Sequence, residues 1–296
     1  MSGSLSKLVE LLTTQADSET CFTGASQDLG WGTIFGGQGL GQGLMSAAQT
    51  VADDRPIHSL HAYFLRTGSV EHPVSYEVER TRDGRSFSTR RVQAVQRQKT
   101  IMTMSLSFHR NEETLDRQSE MPSVPKPQDL KSSQHYISQL VDSVPKKYRL
   151  LLSAERPFET RPVEPVNPFN PAPGPARQMF WYRTRGAVPD LDCLHRALLA
   201  YVSDFNFLTT ALRPFGMSWP TQGIRMASLD HSIWFHRPFR CDEWLLHAID
   251  SPTCCGGRAL VRGQFFDLDG QLVASTTQEG MVRYRRPESK RTDSTE

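Results

Sequence analysis

Apolar positions recur along the chain in two similar blocks separated by a polar, proline-rich middle. Ser4 to Thr14 carries Leu5, Leu8, Val9, Leu11 and Leu12, the spacing of a short amphipathic helix. Cys21 to Gly24 reads as a strand. Phe35-Gly36-Gly37-Gln38-Gly39-Leu40-Gly41-Gln42 then opens a helical stretch to about Val51 that holds Leu44, Met45, Ala47 and Ala48. Its glycine-rich start permits close packing and close approach of a ligand to the backbone. Strand-like runs follow at Leu60 to Leu65, Val74 to Glu79, Phe87 to Val95 and Thr100 to Phe108, with a turn at Asp83-Gly84. The first block is thus a strand, a helix and an antiparallel meander.

The second block repeats that plan. Gln178 to Tyr182 is strand-like, and Leu191 to about Leu212 reads as one long helix carrying Leu194, Leu198, Leu199, Val202 and Phe205. Met226 to Phe235 reads as a strand, followed by a meander of Trp244 to Ile249, Arg258 to Phe266 and Leu272 to Val282, with its hairpin turn at Asp269-Gly270. His61-Ala62-Tyr63-Phe64-Leu65-Arg66 and His231-Ser232-Ile233-Trp234-Phe235-His236 look alike and open corresponding meanders, which implies an internal duplication. Between the blocks, prolines at 162, 165, 168, 171, 173 and 175 exclude regular structure locally, and a helix within Gln134 to Leu152 would break near Pro145. The reading is an α+β double hot-dog: two antiparallel sheets, each wrapped around a long helix, within one chain. A helix surrounded by a sheet needs apolar residues on most faces, and the stretch from Leu194 suits that role. The expected organisation is an N-terminal hot-dog domain at 1–110, a connector at 111–177, a C-terminal hot-dog domain at 178–287 and a flexible tail at 288–296.

Composition narrows the class. The 296 residues are 38% hydrophobic and 22% charged, enough for a sizeable core. Lys and Arg total 34 against 32 Asp and Glu, a net charge of +2 that argues against a nucleic-acid partner. No apolar run is long enough for a membrane-spanning helix. Met1 to Leu12 lacks a signal-peptide pattern. Five cysteines, an odd number, suggest reduced thiols and a cytoplasmic location.

Three polar residues stand out as candidates for chemistry. Asp204 lies within the apolar run Ala200-Tyr201-Val202-Ser203-Asp204-Phe205-Asn206-Phe207-Leu208. A carboxylate there is either a structural helix-end acid or a partly desolvated base whose pKa burial raises. Ser228, in Arg225-Met226-Ala227-Ser228-Leu229-Asp230-His231, lacks the setting of a nucleophile elbow. Gln278 sits in Ala274-Ser275-Thr276-Thr277-Gln278-Glu279-Gly280. Spacing alone joins none of them.

Four segments carry a more specific signal: Phe35-Gly36-Gly37-Gln38, Ser203 to Leu208, Leu229-Asp230-His231-Ser232-Ile233-Trp234-Phe235-His236-Arg237-Pro238-Phe239, and Val273 to Gly280. Together they resemble the acyl-CoA thioesterase II family from about Leu5 to about Arg285. The resemblance implies hydrolysis of medium- to long-chain fatty acyl-CoA to free fatty acid and CoA, without a cofactor or metal. It also implies a homo-oligomer, a tetramer or dimer, and a place in fatty acid metabolism. It assigns Asp204, Ser228 and Gln278 to binding and activating the attacking water; bacterial members carry threonine at the position of Ser228. Gly37 and Gln38, at a helix start, are candidates for the backbone N–H groups that meet the developing oxyanion, or serve only to allow tight packing.

Two other functions compete. A hot-dog enoyl-CoA hydratase would explain Asp204-Phe205-Asn206, but its partner histidine is absent, Thr209 standing five residues after Asp204. A non-catalytic acyl-CoA-binding protein would keep the fold without the chemistry. Cys254-Cys255, expected in a hairpin loop before Gly256-Gly257, lacks metal-ligand spacing, and His58 and His61 read as structural. Arg283, Arg285, Arg286, Lys290 and Arg291 form a basic cluster, either merely solvated or attracting the CoA phosphates.

Overall fold

The computed structural model describes residues 3–113, 115–140 and 144–286; the expected tail, with Lys290 and Arg291, lies outside them. The first block comprises α1 (Gly3–Leu12), β1 (Gln15–Ala16), β2 (Cys21–Gly24), α2 (Gly36–Ala48), β3 (Ile57–Phe64), β4 (Val74–Asp83), β5 (Phe87–Gln96) and β6 (Lys99–His109). The middle holds α3 (Ser133–Leu140), α4 (Lys146–Ser153) and β7 (Phe158–Pro162). The second block is β8 (Arg177–Thr184), α5 (Asp192–Ser203), β9 (Ile224–Ser228), β10 (Asp230–Phe235), β11 (Leu245–Cys255), β12 (Arg258–Phe266) and β13 (Leu272–Tyr284).

Strand order reveals the duplication. The path β2-β4-β5-β6-β3 is followed by β10-β13-β12-β11-β8, so each half repeats the same topology and the halves meet edge to edge. The joining strands are the two look-alike stretches: Leu60 of β3 pairs with Ile233 of β10, and His61 with Ser232. Among the described residues the two expected sheets therefore form one continuous antiparallel sheet of thirteen strands, curled around α2 and α5. This is the double hot-dog arrangement.

The two helices are buried on almost every face, α5 from Leu194 to Ser203 without interruption. Their close approach explains the glycines of α2. A side chain at Gly37 would press into the backbone carbonyl of Tyr201, and one at Gly41 would lie 3.1 Å from the Ala197 carbonyl. Gly39 and Gly43 leave room instead for Met102 and Met104 of the sheet. Each glycine costs about 1 kcal/mol of helix propensity. α2 exists because packing on α5 and the sheet offsets that cost.

Three expectations about elements need correction. The helix from Leu191 does not reach Leu212: α5 ends at Ser203, with Asp204 as its C-cap. Asn206 takes φ 58°, a left-handed conformation that Asn tolerates, and the chain continues as a 3₁₀ stretch, Leu208–Phe215. Met226 to Phe235 is two strands broken at Leu229. Ser228 pairs with Gly280 but Ser232 with Thr277, so four steps on one side span three on the other, a one-residue bulge. Cys254 and Cys255 end β11 in register with Ala259 and Arg258; the turn itself is Gly256-Gly257, at φ 59° and 75°. Within the connector, Phe158–Pro162 extends the sheet beside β8.

Candidate active site

The bulge and the end of α5 bring three candidates together. Asp204 reaches the site because α5 stops one residue earlier and because the N-terminus of α2 lies against that end. The N–H of Gly37 donates to Asp204 Oδ2 at 3.1 Å. Ser228 ends β9, and Gln278 projects inward from β13 with only 1% of its surface exposed. The Gln278 Nε2 amide donates to Ser228 Oγ at 2.7 Å. Both side chains lie near enough to the Asp204 carboxyl to favour its ionised form, which brings the three together in one cluster.

Burial pushes the Asp204 carboxyl above the ordinary carboxylate range. The charge on His231 when protonated, the Gly37 N–H and the Gln278 and Ser228 side chains all favour the ionised form and pull the other way. The residue retains part of its surface while its carboxyl is enclosed by protein. Gly36, Phe64 and Gly37 line that enclosure: an added Cβ at Gly36 would lie 2.7 Å from Asp204 Oδ2 and 3.2 Å from the Phe64 ring. Phe35 packs edge-on against Tyr201 and tilted against Phe205 beside it, at centroid separations of 5.3 and 4.4 Å. A carboxylate with a raised pKa, two orienting hydrogen-bonding side chains and an aromatic margin can hold a water and take its proton.

Gln38 departs from its expected role. Its N–H donates to the Phe35 carbonyl at 3.0 Å, closing the first turn of α2. Its side chain donates to Ala25 O at 3.0 Å and accepts from the Gln27 N–H at 3.2 Å. Gln38 therefore fastens the loop before α2 and offers no free N–H to a substrate. Gly37 does lie at the site, but its N–H engages the carboxylate. Sequence reasoning missed His231, quoted within a motif yet given no task. It is fully buried, with Nδ1 2.6 Å from Gln278 Oε1 and Nε2 3.0 Å from Ser203 Oγ. Its signal was a histidine in the inward register of a core strand, three residues after Ser228.

Residues 148–281 match the acyl-CoA thioesterase family, and residues 26–109 match the acyl-CoA thioesterase N-terminal domain. The chain is 42% identical over 284 residues to acyl-CoA thioesterase 2 of Haemophilus influenzae, covering 96% of this chain and 99% of that protein. The crystal structure of an acyl-CoA thioesterase II from Mycobacterium marinum superposes with a TM-score of 0.75 at 37% identity, covering 94% of this chain and 99% of that one. A hot-dog protein of unknown function from Alicyclobacillus acidocaldarius, 18% identical over 94% of this chain and 98% of its own, shares the fold at a TM-score of 0.74.

Proposed function

The chain belongs to the acyl-CoA thioesterase family and hydrolyses acyl-CoA thioesters, and we propose that it does so with water activated by Asp204, Ser228 and Gln278. The observation that carries this reading is the meeting of the three side chains around one enclosed carboxylate. Asp204 takes a proton as the water oxygen bonds to the thioester carbon. Ser228 and Gln278 hold that water in line, which supplies effective concentration. The tetrahedral intermediate then collapses, the C–S bond breaks, and the proton on Asp204 passes to the departing sulfur. Fatty acid and CoA result, with the carboxylate restored. Gly37 supports the step by tying the base to the positive end of α2.

The same reading takes medium- to long-chain fatty acyl-CoA as substrate, supported by the apolar margin of Phe35, Phe64 and Phe205 around the carboxylate. It places the enzyme in fatty acid metabolism, in the cytoplasm, as a homo-oligomer, a dimer or tetramer. The hydratase alternative gains nothing from the structure: Thr209 Oγ1 donates to the Asn206 carbonyl at 2.8 Å and serves the turn. The test is thiol release across saturated acyl-CoA lengths by the wild type and Asp204→Asn. Wild-type release that vanishes in the variant supports the assignment; near-native turnover by the variant refutes it.

A further inference from the structure

Resting on the reading of Asp204, Ser228 and Gln278 above, we propose that His231 is a positioning residue: it fixes which end of the Gln278 amide faces Ser228 and Asp204. The bulge at Leu229 makes this possible. Residues three apart on a regular strand point to opposite faces. Here the extra residue turns both Ser228 and His231 inward, one on either side of the Gln278 side chain. The bulge is held by three hydrogen bonds: Leu229 N–H to Glu279 O at 2.9 Å, Phe64 N–H to Leu229 O at 2.9 Å, and Glu279 N–H to Asp230 Oδ1 at 2.6 Å.

A glutamine amide has one accepting and one donating end, and the two are close to the same size. Nothing in packing alone chooses between them. Gln278 turns Nε2 toward Ser228, so Oε1 meets His231 Nδ1 at 2.6 Å. A carbonyl oxygen can only accept, so Nδ1 carries the hydrogen. The neutral ring then has a bare Nε2, which takes the Ser203 hydroxyl hydrogen at 3.0 Å in competition with the Ala200 carbonyl 2.9 Å away. The resulting chain runs in one direction: Ser203 to His231, His231 to Gln278, Gln278 to Ser228. Ser228 keeps its own hydrogen for the carboxylate or the water.

The reverse arrangement is also self-consistent, and it is inert. With the hydrogen on Nε2, His231 donates to Ser203, whose hydroxyl turns to the Ala200 carbonyl at 2.9 Å. Gln278 flips, Nε2 donates to Nδ1, and the Ser228 hydroxyl is drawn to Oε1. Asp204 then loses both side-chain donors. The tautomer of His231 thus selects between a site that holds water and one that does not. Asp204 at the end of α5, Asp230 in β10 and His247 in β11 are the titratable groups around the ring. Phe207 packs against both histidines, with ring centroids 5.5 and 5.4 Å away.

The test compares His231→Asn, whose amide nitrogen can occupy the Nδ1 position, with His231→Gln, whose nitrogen reaches only the Nε2 position. Expected is a fall in kcat of up to about 100-fold for His231→Gln, what a misplacement of about 1 Å costs, with KM little changed. His231→Asn recovers part of that loss. The acid limb of the kcat/KM profile moves to higher pH in His231→Gln, because the carboxylate loses donors, and returns toward wild type in His231→Asn. Nitrogen-15 spectra of the intact wild-type enzyme should show the hydrogen of His231 on Nδ1. Equal kcat in the two variants with an unmoved acid limb overturns the proposal, as does a hydrogen on Nε2. Asp204→Asn run in parallel separates the two claims: turnover retained there defeats the base assignment itself, whatever His231 does.

Discussion

The N–H of Gly37 donates to the Asp204 carboxylate at 3.1 Å across 167 residues of sequence, joining the start of one central helix to the end of the other. The contact depends on Gly37 having no side chain, since a Cβ there would collide with the Tyr201 carbonyl. Gly37→Ala should therefore part α2 from α5 and displace the base together. We predict a loss of stability of about 2 kcal/mol, within the usual range for overpacking, and a fall in kcat greater than that loss of folded protein explains. Gly41→Ala makes the milder comparison, because its Cβ would meet the movable Leu12 side chain at 2.8 Å and the Ala197 carbonyl only at 3.1 Å, farther than the Tyr201 carbonyl lies from a Cβ at Gly37. It should cost some stability and leave kcat near wild type. Thermal melts with kcat per folded molecule check both.

Asp204→Asn should remove turnover by roughly 100- to 10,000-fold, the usual contribution of general-base catalysis, with acyl-CoA still bound. Stability should move in the opposite direction. The folded-state pKa of this carboxyl lies above its unfolded value, so the group favours the fold at low pH and disfavours it as pH rises through the folded pKa. The Tm of the variant should exceed that of wild type at pH 8, and the gap should close toward pH 4. A gap that widens on acidification would contradict the raised pKa.

The sequence periods reveal the helices and most strands because burial repeats at regular intervals in both blocks. The duplication is legible for the same reason, and its look-alike stretches prove to be the very strands that join the halves. What escapes is local and polar. The end of α5 rests on one left-handed Asn206, and the Leu229 bulge on Asp230 capturing a backbone N–H. Neither leaves a mark in hydrophobic spacing. Asp204, Ser228 and Gln278 become a set only through family resemblance, since they come from three separate elements. His231 is invisible because its task lies in hydrogen-bond direction.

Activity should fall in acid with an apparent pKa above the ordinary aspartate value of about 3.9. Only the ionised carboxylate accepts a proton from water, and burial raises the pH at which ionisation occurs. The kcat/KM profile with a saturated acyl-CoA should show an acid limb that is lost when residual activity of Asp204→Asn is profiled. A limb at or below the ordinary value would mean that the base is solvated.

Gln42 offers a test of the scaffold apart from the chemistry. Its buried amide donates to Leu11 O at 2.6 Å and Ala25 O at 2.8 Å, and accepts from the Tyr76 hydroxyl at 2.6 Å. Gln42→Leu keeps the volume and strands the Leu11 carbonyl and the Tyr76 hydroxyl, while the Ala25 carbonyl keeps its Gln38 donor. The predicted cost is about 3 kcal/mol, since each such group costs about 1–3 kcal/mol when left without a partner. Chemical denaturation measures it, and kcat per folded molecule should stay near wild type.

Ser228 separates the requirement for a hydroxyl from the requirement for a particular residue. Its oxygen accepts the Gln278 amide at 2.7 Å, which leaves its hydrogen for the carboxylate or the water. Ser228→Ala removes both and leaves the Gln278 Nε2 without its acceptor, so kcat should fall by up to about 100-fold, what a misplacement of about 1 Å costs. Ser228→Thr keeps the hydroxyl and adds a methyl that restricts χ1. Its kcat should stay within about threefold of wild type, because the hydrogen-bonding inventory is unchanged. If Thr proves as damaging as Ala under the same thiol-release assay, the site is governed by space at this position, and the water-holding role passes to Gln278 and Asp204 alone.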